Sequence, residues 1–232
     1  MKKAKLFAAA LLLTVCNSVF AQYDDYYYDS YHTTTVRSTS YDFEEGLGNI
    51  HLTYSPLQLT TDYKGVDNLN FNAFTLGYSY TMALGGPACL EFGFDTTGAY
   101  YSEKYNDDGK GVKHTYEFYY SKVPISLALF LSPNENFAFI PYAGFHGKVN
   151  ISGKETYEDS YGTERIDLFD KDDIGNDHFK RFQLGYQAGF KFLFFSALSI
   201  GASYEGDLTP VYSDHVETQK FRGFHFTLGY NF

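Results

Sequence analysis

The chain has 232 residues, 44% of them hydrophobic and 20% aromatic, with 23 Tyr, 23 Phe, no Trp and a formal net charge of −10. So acidic a chain is a poor binder of nucleic acid, and we expect no nucleic-acid partner. The length suits one all-β domain, and abundant Tyr and Phe favour both a pleated sheet and the interface of a membrane.

The first 21 residues have the features of a secretory signal peptide. Three lysines fall within the first five residues, an apolar run covers Leu6–Val15, and the small residue Ala21 offers a cleavage site. The run is shorter than the roughly 18 apolar residues that a membrane-spanning helix needs. Cleavage after Ala21 would remove Cys16 and leave Cys89 as the only thiol, so we expect no disulfide within the chain.

Residues 22–45 are rich in Tyr, Asp, Ser and Thr, contain few aliphatic residues and show no clear period. This composition predicts a flexible tail, which would lie on the periplasmic side if the strands that follow form an outer-membrane barrel. Over residues 46–232, the sequence changes to repeated segments with the pattern of β-strands. The sequence therefore predicts a signal peptide, a tail and one barrel domain.

Eight segments alternate large apolar residues with small or polar ones, the period of two that is typical of β-strands. In chain order, the apolar positions of the first seven are Ile50, Leu52, Tyr54; Phe74, Leu76, Tyr78, Tyr80, Met82; Leu90, Phe92, Phe94; Val123, Ile125, Leu127, Leu129, Leu131; Phe137, Phe139, Ala143, Phe145, Val149, Ile151; Phe182, Leu184, Tyr186, Ala188, Phe190, Phe192; and Leu198, Ile200, Ala202, Tyr204. At Pro56 the apolar phase shifts to Leu57 and Leu59, which predicts a bulge or a strand end there.

The eighth strand closes the chain on an aromatic residue. Its alternate apolar positions are Phe224, Phe226, Leu228, Tyr230 and Phe232. On the apolar face of the eight strands, none of the positions named above is occupied by Lys, Arg, Asp or Glu. Because Lys or Arg facing lipid at mid-bilayer costs about 2–4 kcal/mol, this exclusion indicates a face exposed to lipid.

The connections between strands alternate between long and short. Short turns are predicted at Gly85–Pro87, Ser132–Asn136 and Phe195–Ser196, and longer loops run through Asp62–Asp67, Asp107–Gly111, Ser152–Asp177 and Pro210–Asp214. Backbone groups in hydrocarbon must all be paired, which a closed sheet achieves. The pattern predicts an eight-stranded antiparallel up-and-down transmembrane β-barrel with short periplasmic turns.

Three segments carry a resemblance to a known family: Lys122–Leu127, Ile140–Phe145 and Leu228–Phe232. With them, the chain after Gly46 resembles the outer membrane protein β-barrel domain proteins, often labelled porin-family, which are similar to small OmpA/OmpX-type barrels. The resemblance implies an outer-membrane location in a Gram-negative cell envelope. It also implies that the barrel-assembly machinery reads the alternate residues of the last strand, and it transfers no catalytic residue.

The interior of an eight-stranded barrel is just wide enough for side chains to fill. The charged residues predicted to form a lumen network are Glu91, Asp95, Lys148, Arg181, Lys191, Glu205 and Asp207. We expect charges at matched depth to pair. Glu91 should pair with Lys191 near the periplasmic end, and higher in the barrel Arg181 or Lys148 should pair with Glu205 or Asp207. The alternative for the upper group is solvation near the rim.

We expect no cofactor and no metal site. His51, His146 and His225 are predicted to point inward at different heights, without the spacing of metal ligands. The segment Asp170–Gly175 begins like a calcium loop, but Ile174 stands where an oxygen ligand is required. Weak calcium bridging from this acidic loop to lipopolysaccharide remains an alternative.

The predicted function is that of a monomeric, non-enzymatic outer-membrane protein with a structural or surface-interaction role. Its expected partners are outer-membrane lipid, lipopolysaccharide, the barrel-assembly machinery and an extracellular ligand or protein contacted by the acidic loops. One alternative is a narrow channel for small solutes. The other is an enzyme that modifies lipid A, for which His178 and the segment Ser213–His215 lie near the outer rim.

Overall fold

The computed structural model describes residues 46–63, 67–107, 110–134, 136–170, 179–213 and 217–232. The strands are β1 (Leu47–Thr61), β2 (Leu69–Gly85), β3 (Ala88–Asp107), β4 (Lys110–Leu129), β5 (Leu131–Asn134), β6 (Phe137–Glu158), β7 (Thr163–Asp167), β8 (Phe182–Phe194), β9 (Leu198–Asp207), β10 (Tyr212–Ser213) and β11 (Thr218–Asn231). Across these ranges no helix has the length and hydrophobicity to cross a membrane. The predicted signal peptide and tail lie outside the described residues.

Eight of the strands close into a barrel. They pair antiparallel in the order β1-β2-β3-β4-β6-β8-β9-β11, and β11 pairs in turn with β1. The closing register runs from Asn49 opposite Asn231 to Thr61 opposite Gln219. The predicted eight-stranded antiparallel up-and-down barrel is therefore confirmed. Each barrel strand has a partner on both sides, which is the condition for a sheet in hydrocarbon.

Two of the short connections bend through backbone conformations with positive φ. Gly85 and Gly86 have φ values of 125° and 54°, a region in which a side chain would be strained. Phe195 and Ser196 reach φ values of 50° and 61° between β8 and β9, which is uncommon for residues other than glycine. These tight turns join neighbouring strands at the end of the barrel that the fold assigns to the periplasm.

The outward face of the barrel is apolar over its middle section. Leu76, Leu127 and Phe145 are 64%, 63% and 67% exposed, whereas their strand neighbours Thr75 and Ser126 are buried inside. The alternate residues of the last strand are also exposed on this face: Phe224, Phe226, Leu228, Tyr230 and Phe232. An apolar surface of this extent around a closed sheet is the pattern of exposure to lipid.

The inward face is not polar throughout, and this changes the interpretation of Pro56. β1 continues through Pro56, which lies opposite Asn72 in an unshifted register with β2, as far as Thr61. Leu57 and Leu59 are buried inside the barrel. The predicted bulge or strand end is wrong because the shift in apolar phase reflects a change in what fills the lumen, while the backbone alternation is unbroken.

Three strands continue beyond the barrel on the side opposite the short turns. β3 and β4 pair as far as Asp107 and Lys110, and the 22-residue β6 pairs with β4 up to Glu158. β7 then returns along β6. We call residues 100–107, 110–117, 154–158 and 163–167 the extension.

The extension corrects the prediction of a loop over Ser152–Asp177, because the first part of that range is paired strand. A strand outside the membrane needs backbone pairing but no apolar outer face. The apolar alternation that marks the barrel strands therefore stops at the membrane, while the ladder of hydrogen bonds goes on. Residues 171–178 lie outside the described part of the chain.

A charge placed on the lipid face tests the membrane assignment. Ile125 is 53% exposed on the middle of β4, between Val123 and Leu127. We expect Ile125→Lys to lower the free energy of unfolding in lipid vesicles by about 2–4 kcal/mol in urea titrations. The control Asn106→Lys adds the same charge to the exposed extension and should change it by less than about 0.5 kcal/mol. Equal effects of the two variants would contradict lipid exposure at Ile125.

Candidate functional site

The lumen is filled in three layers along the described strands. An apolar lower cluster near the short turns consists of Cys89, Ala128, Ala138, Ile140 and Leu193, with Leu47, Phe130 and Tyr142 packed against it. An apolar upper cluster contains Leu57, Leu59, Phe71, Ala73, Ala99, Phe118, Tyr120, Leu168, Phe169, Val211 and Phe221. Between the two clusters lies a layer of paired charges, which is the candidate site.

At the bottom of this ionic layer, Glu91 and Lys191 are in contact. The Lys191 Nζ donates a hydrogen bond to Glu91 Oε2 at 2.5 Å. The same carboxylate oxygen accepts a hydrogen bond from the Thr81 hydroxyl at 3.2 Å, and the ammonium lies 5.3 Å from the centroid of the Tyr142 ring. The structure thus brings together the two residues that the sequence placed at matched depth.

The centre of the layer is organised by Lys122. Its Nζ donates a hydrogen bond to Glu205 Oε2 and lies 3.6 Å from Asp95 Oδ2. All three side chains are buried, so this ammonium offsets the cost of holding two carboxylates away from water. Because Asp95 is on β3, Lys122 on β4 and Glu205 on β9, the contact ties opposite walls of the barrel together.

Lys122 is the functional residue that the sequence analysis missed, although the signal was present. Val123 is an outward apolar position, so its neighbour Lys122 must point inward. The sequence alone leaves the facing of β4 above Val123 open, because Tyr119 and Tyr120 are consecutive aromatic residues. In the structure Tyr120 is buried and Tyr119 is exposed, so the alternation continues through this ambiguous segment.

The upper part of the layer holds Lys148 and Asp207. Lys148 Nζ donates to both oxygens of the Asp207 carboxylate, at 2.8 and 2.7 Å. The backbone N–H of Phe221 also donates to this carboxylate at 3.2 Å, and the ammonium lies 5.1 Å from the ring centroids of Tyr120 and Phe221. This pair is almost wholly buried, so it is part of the filling of the lumen and is not solvated at a rim.

Arg181 does not belong to the network, and its predicted place there is wrong. Its side chain is exposed, its Nη1 donates to the Ile151 carbonyl at 3.1 Å, and its guanidinium carbon lies 4.9 Å from the Phe169 ring centroid. The physical reason is that β8 begins only at Phe182. Strand alternation therefore does not fix the direction of the residue before it.

Three histidines complete the layer. His51 Nε2 lies 3.0 Å from Asp95 Oδ1. His146 Nε2 and His225 Nε2 lie 3.7 and 3.6 Å from the two oxygens of Glu205. The sequence placed the three imidazoles at different heights, whereas the structure brings two of them to one carboxylate. Among the described residues, no cluster of His, Cys, Asp and Glu has the arrangement of a metal site.

Ser55, His225 and Glu205 form a line that has the residue types of an acyl-transfer triad. Ser55 Oγ and His225 Nδ1 are hydrogen-bonded at 2.7 Å. Ser55 is 0% exposed, however, and lies in the lumen between the two apolar clusters. A nucleophile must meet its substrate, so the Ser55–His225 contact serves as an internal hydrogen bond of the lumen. The rim residues His178 and Asp214–His215 lie outside the described residues.

Two inward-facing glycines make room for the imidazoles. A Cβ at Gly77 would overlap Asp95 and His51, and one at Gly185 would overlap His146. Beside them, a cavity of about 50 Å³ is lined by the ionic layer, with Ser79 Oγ and His225 Nε2 buried on its wall and without a hydrogen-bond partner. A polar cavity of this size can hold a few water molecules.

The family model described as outer membrane protein beta-barrel domain matches residues 20–213. The chain belongs to this family. Membership confirms the resemblance seen in the sequence and implies an outer-membrane location. No curated protein sequence matches the chain.

Among solved structures, the chain is similar to Ail, the attachment invasion locus protein of Yersinia pestis, in complex with the heparin analogue sucrose octasulfate. The identity is 19%, the TM-score is 0.45, and the match covers 81% of this chain and 99% of that one. It is also similar to Neisserial surface protein A, with 10% identity, a TM-score of 0.44 and coverage of 81% and 100%.

A third similar structure is the outer membrane enzyme PagL, with 10% identity, a TM-score of 0.38 and coverage of 78% and 97%. Likenesses at these identities and scores name neither a ligand nor an activity for this protein.

Removal of the central ammonium tests the ionic layer. We expect Lys122→Met to lower the free energy of unfolding by about 3–5 kcal/mol, because it leaves two buried carboxylates without their cation. The matched control is Lys113→Met, which breaks an exposed ion pair of 3.4 Å with Glu158 and should cost less than about 1 kcal/mol. Urea unfolding in lipid vesicles measures both, and equal losses would contradict a buried network.

The close approach at Gly77 makes a second test. We expect Gly77→Ala to lower the free energy of unfolding by about 1–3 kcal/mol, because the added methyl group displaces His51 from Asp95. The control is Gly147→Ala, where a Cβ would meet the Phe182 ring at 3.7 Å, an ordinary contact. If the two variants unfold at the same urea concentration, the contact between His51 and Asp95 does not require the space that Gly77 leaves.

Proposed function

We propose that this protein is a non-enzymatic outer-membrane barrel with a closed lumen, and that it has a structural or surface-interaction role exercised at its extracellular end. The filling of the lumen supports this proposal most directly. The two apolar clusters stand above and below the ionic layer. The cavity of about 50 Å³ between them is too small to form a continuous path for solutes.

A channel would require these layers to open. An ion crossing the barrel would have to separate Lys122 from Glu205 and Lys148 from Asp207, both of which are buried. It would also have to pass the two apolar clusters, where an unpaired charge costs several kcal/mol. The structure therefore favours a closed barrel over the narrow channel that the sequence left as an alternative.

The extension supports a role in surface interaction. The pairing of β3 with β2 ends at Tyr100, and beyond it β3 pairs with β4. On the other side of the extension, β7 pairs with β6. The extension thus presents strand edges and two faces on the side opposite the short turns. Paired strands hold side chains in fixed positions more firmly than a loop does, which suits a surface that contacts other molecules.

The remaining parts of the proposal concern partners and processing. We infer that the signal peptide is cleaved after Ala21, that lipid and lipopolysaccharide surround the apolar band, and that the barrel-assembly machinery reads the alternate residues of β11. The five positions Phe224, Phe226, Leu228, Tyr230 and Phe232 are accessible for such reading on the outward face. We propose a monomer, because one chain closes its own sheet.

Conductance tests the closed lumen. We expect the purified full chain to give no steady open level in planar bilayers, because side chains fill the barrel along its length. A wide porin inserted into the same bilayer serves as the control that open pores are detected. A reproducible steady conductance of the protein would overturn the closed barrel and favour the narrow channel.

The lipid A of cells with and without the protein tests the non-enzymatic assignment. We expect identical mass spectra, because the Ser55, His225 and Glu205 line is sealed inside the lumen. The matched variant His225→Gln should leave the spectra unchanged as well. Loss or gain of an acyl chain in cells that express the protein would contradict the assignment.

A further inference from the structure

The two faces of the extension differ in chemistry. Residues directly paired across strands share a face, and Tyr101 is paired with Tyr116. Both rings lie next to Phe71 of the upper cluster, with centroids 5.6 and 6.4 Å away. The face that carries them is therefore continuous with the interior of the barrel, and we call it the inner face of the extension.

The inner face carries a contiguous aromatic surface. The Tyr101 and Tyr116 ring centroids are 6.3 Å apart, and the His114 ring lies 4.6 Å from Tyr116 and 5.4 Å from Tyr157. The hydroxyl groups of Tyr105 and Tyr157 are hydrogen-bonded to each other. Four tyrosines and one histidine from β3, β4 and β6 thus line one side of the sheet, with Tyr105 exposed and the other four partly buried. The exposed parts of these rings can contact a cation.

Carboxylates lie among these rings. The Tyr101 hydroxyl donates to Glu103 Oε2 at 2.5 Å, and the Tyr116 hydroxyl donates to Glu155 Oε1 at 3.0 Å. Glu164 lies opposite Tyr157 in the register of β6 and β7 and is exposed. Glu155 Oε1 is also hydrogen-bonded to His114 Nε2 at 2.6 Å. Each ionised carboxylate has about four acceptor sites, so these contacts leave capacity for a cation.

The opposite face has a different composition. Its charged residues are Lys104, Lys113, Lys154, Arg165, Glu117, Glu158 and Asp167, a mixture of both signs. On the inner face, the register places one lysine, Lys110, opposite Asp107 at the end farthest from the barrel, and the other charged residues of this face in the extension are acids. A sheet in water needs no such excess of acids on one face, and the excess makes the inner face complementary to a cationic molecule.

The spacing of the carboxylates favours an extended ligand. Glu103 and Glu164 fall in one row across the sheet, separated by three strand spacings through His114 and Tyr157, and Glu155 lies in the adjacent row between them. Three spacings are about 14 Å, and positions i to i+4 of an extended peptide span about 13 Å. Basic side chains at alternate positions of a peptide lying across the strands would therefore reach the three carboxylates.

We propose that the inner face of the extension binds an extended basic peptide segment of another protein. In the bound state, Arg or Lys side chains pair with Glu103, Glu155 and Glu164 and stack on the tyrosine rings between them. This inference rests on the proposed surface-interaction role and names the chemistry of the partner. It does not depend on whether the lumen conducts.

A labelled peptide of alternating arginine and serine residues tests the proposal. Fluorescence anisotropy would measure its binding to the full chain in nanodiscs of neutral phosphatidylcholine, so that the lipid attracts no peptide. We expect binding that weakens as salt is added. The triple variant Glu103→Gln, Glu155→Gln, Glu164→Gln should lower the affinity about tenfold, and Tyr157→Leu should lower it about threefold.

The matched control removes the same three charges from the other face. The variant Glu117→Gln, Glu158→Gln, Asp167→Asn should lower the affinity less than about twofold, because its net charge changes equally but the inner face is intact. Urea unfolding checks that both triple variants fold as the parent does. Equal losses in the two variants would show that the peptide senses only total charge, and would overturn the proposal.

Two further outcomes are decisive. A peptide of alternating glutamate and serine should not bind, and binding of it as tight as that of the arginine peptide would overturn the charge complementarity. Absence of arginine-peptide binding to the parent protein would also overturn this inference. Such a result, together with a silent planar bilayer, would leave the closed structural barrel standing, so the two proposals fail separately.

Discussion

The structure depends on the requirement that every backbone N–H and C=O within hydrocarbon be paired. The seam between β1 and β11 meets this requirement, and it ends where Gly48 and Phe232 exchange backbone hydrogen bonds of 3.0 and 2.9 Å. A Cβ at Gly48 would lie 2.9 Å from the Phe232 ring, so glycine lets the terminal ring rest on the first strand. Closure by eight strands in turn fixes a narrow interior, which side chains fill.

In a narrow and filled interior, each buried charge must be paired with an opposite charge. Glu91, Asp95, Glu205 and Asp207 all lie inside, and each carboxylate contacts a lysine ammonium. Three of these four contacts join strands that are not neighbours, namely β4 with β9, β6 with β9 and β3 with β8, so they fix the walls of the barrel relative to each other. The apolar clusters at both ends separate the ion pairs from bulk water, and a lower local dielectric strengthens their attraction.

The sequence predicted the parts of the fold that the membrane controls. Lipid exposure forces a period of two on the outward face, so the eight strands, their order and the facing of residues such as Leu76 and Phe145 could be read from it. The prediction failed at positions whose side chains do not contact lipid. Leu57 is apolar because it fills the upper lumen, and Arg181 precedes its strand. Lys122 was missed because it follows closely after two consecutive tyrosines, whose facing the sequence does not determine. None of these positions has a unique signature, because the alternation reports a difference between faces and not what each face touches.

The strands of the extension were also not predicted from the alternation of apolar residues. Its strands continue the ladder of β3, β4 and β6, but no hydrocarbon dictates their side chains, so the pattern that marks the barrel ends before the strands do. Without that constraint, mixed charge on both faces would keep the sheet soluble. The outer face has such a mixture, whereas the inner face combines Tyr101, Tyr116 and Tyr157 with an excess of acids, and its register includes one lysine, Lys110, at the far end. Neither closure of the barrel nor exposure to lipid requires this excess of acids, and it is the feature from which we propose a basic partner.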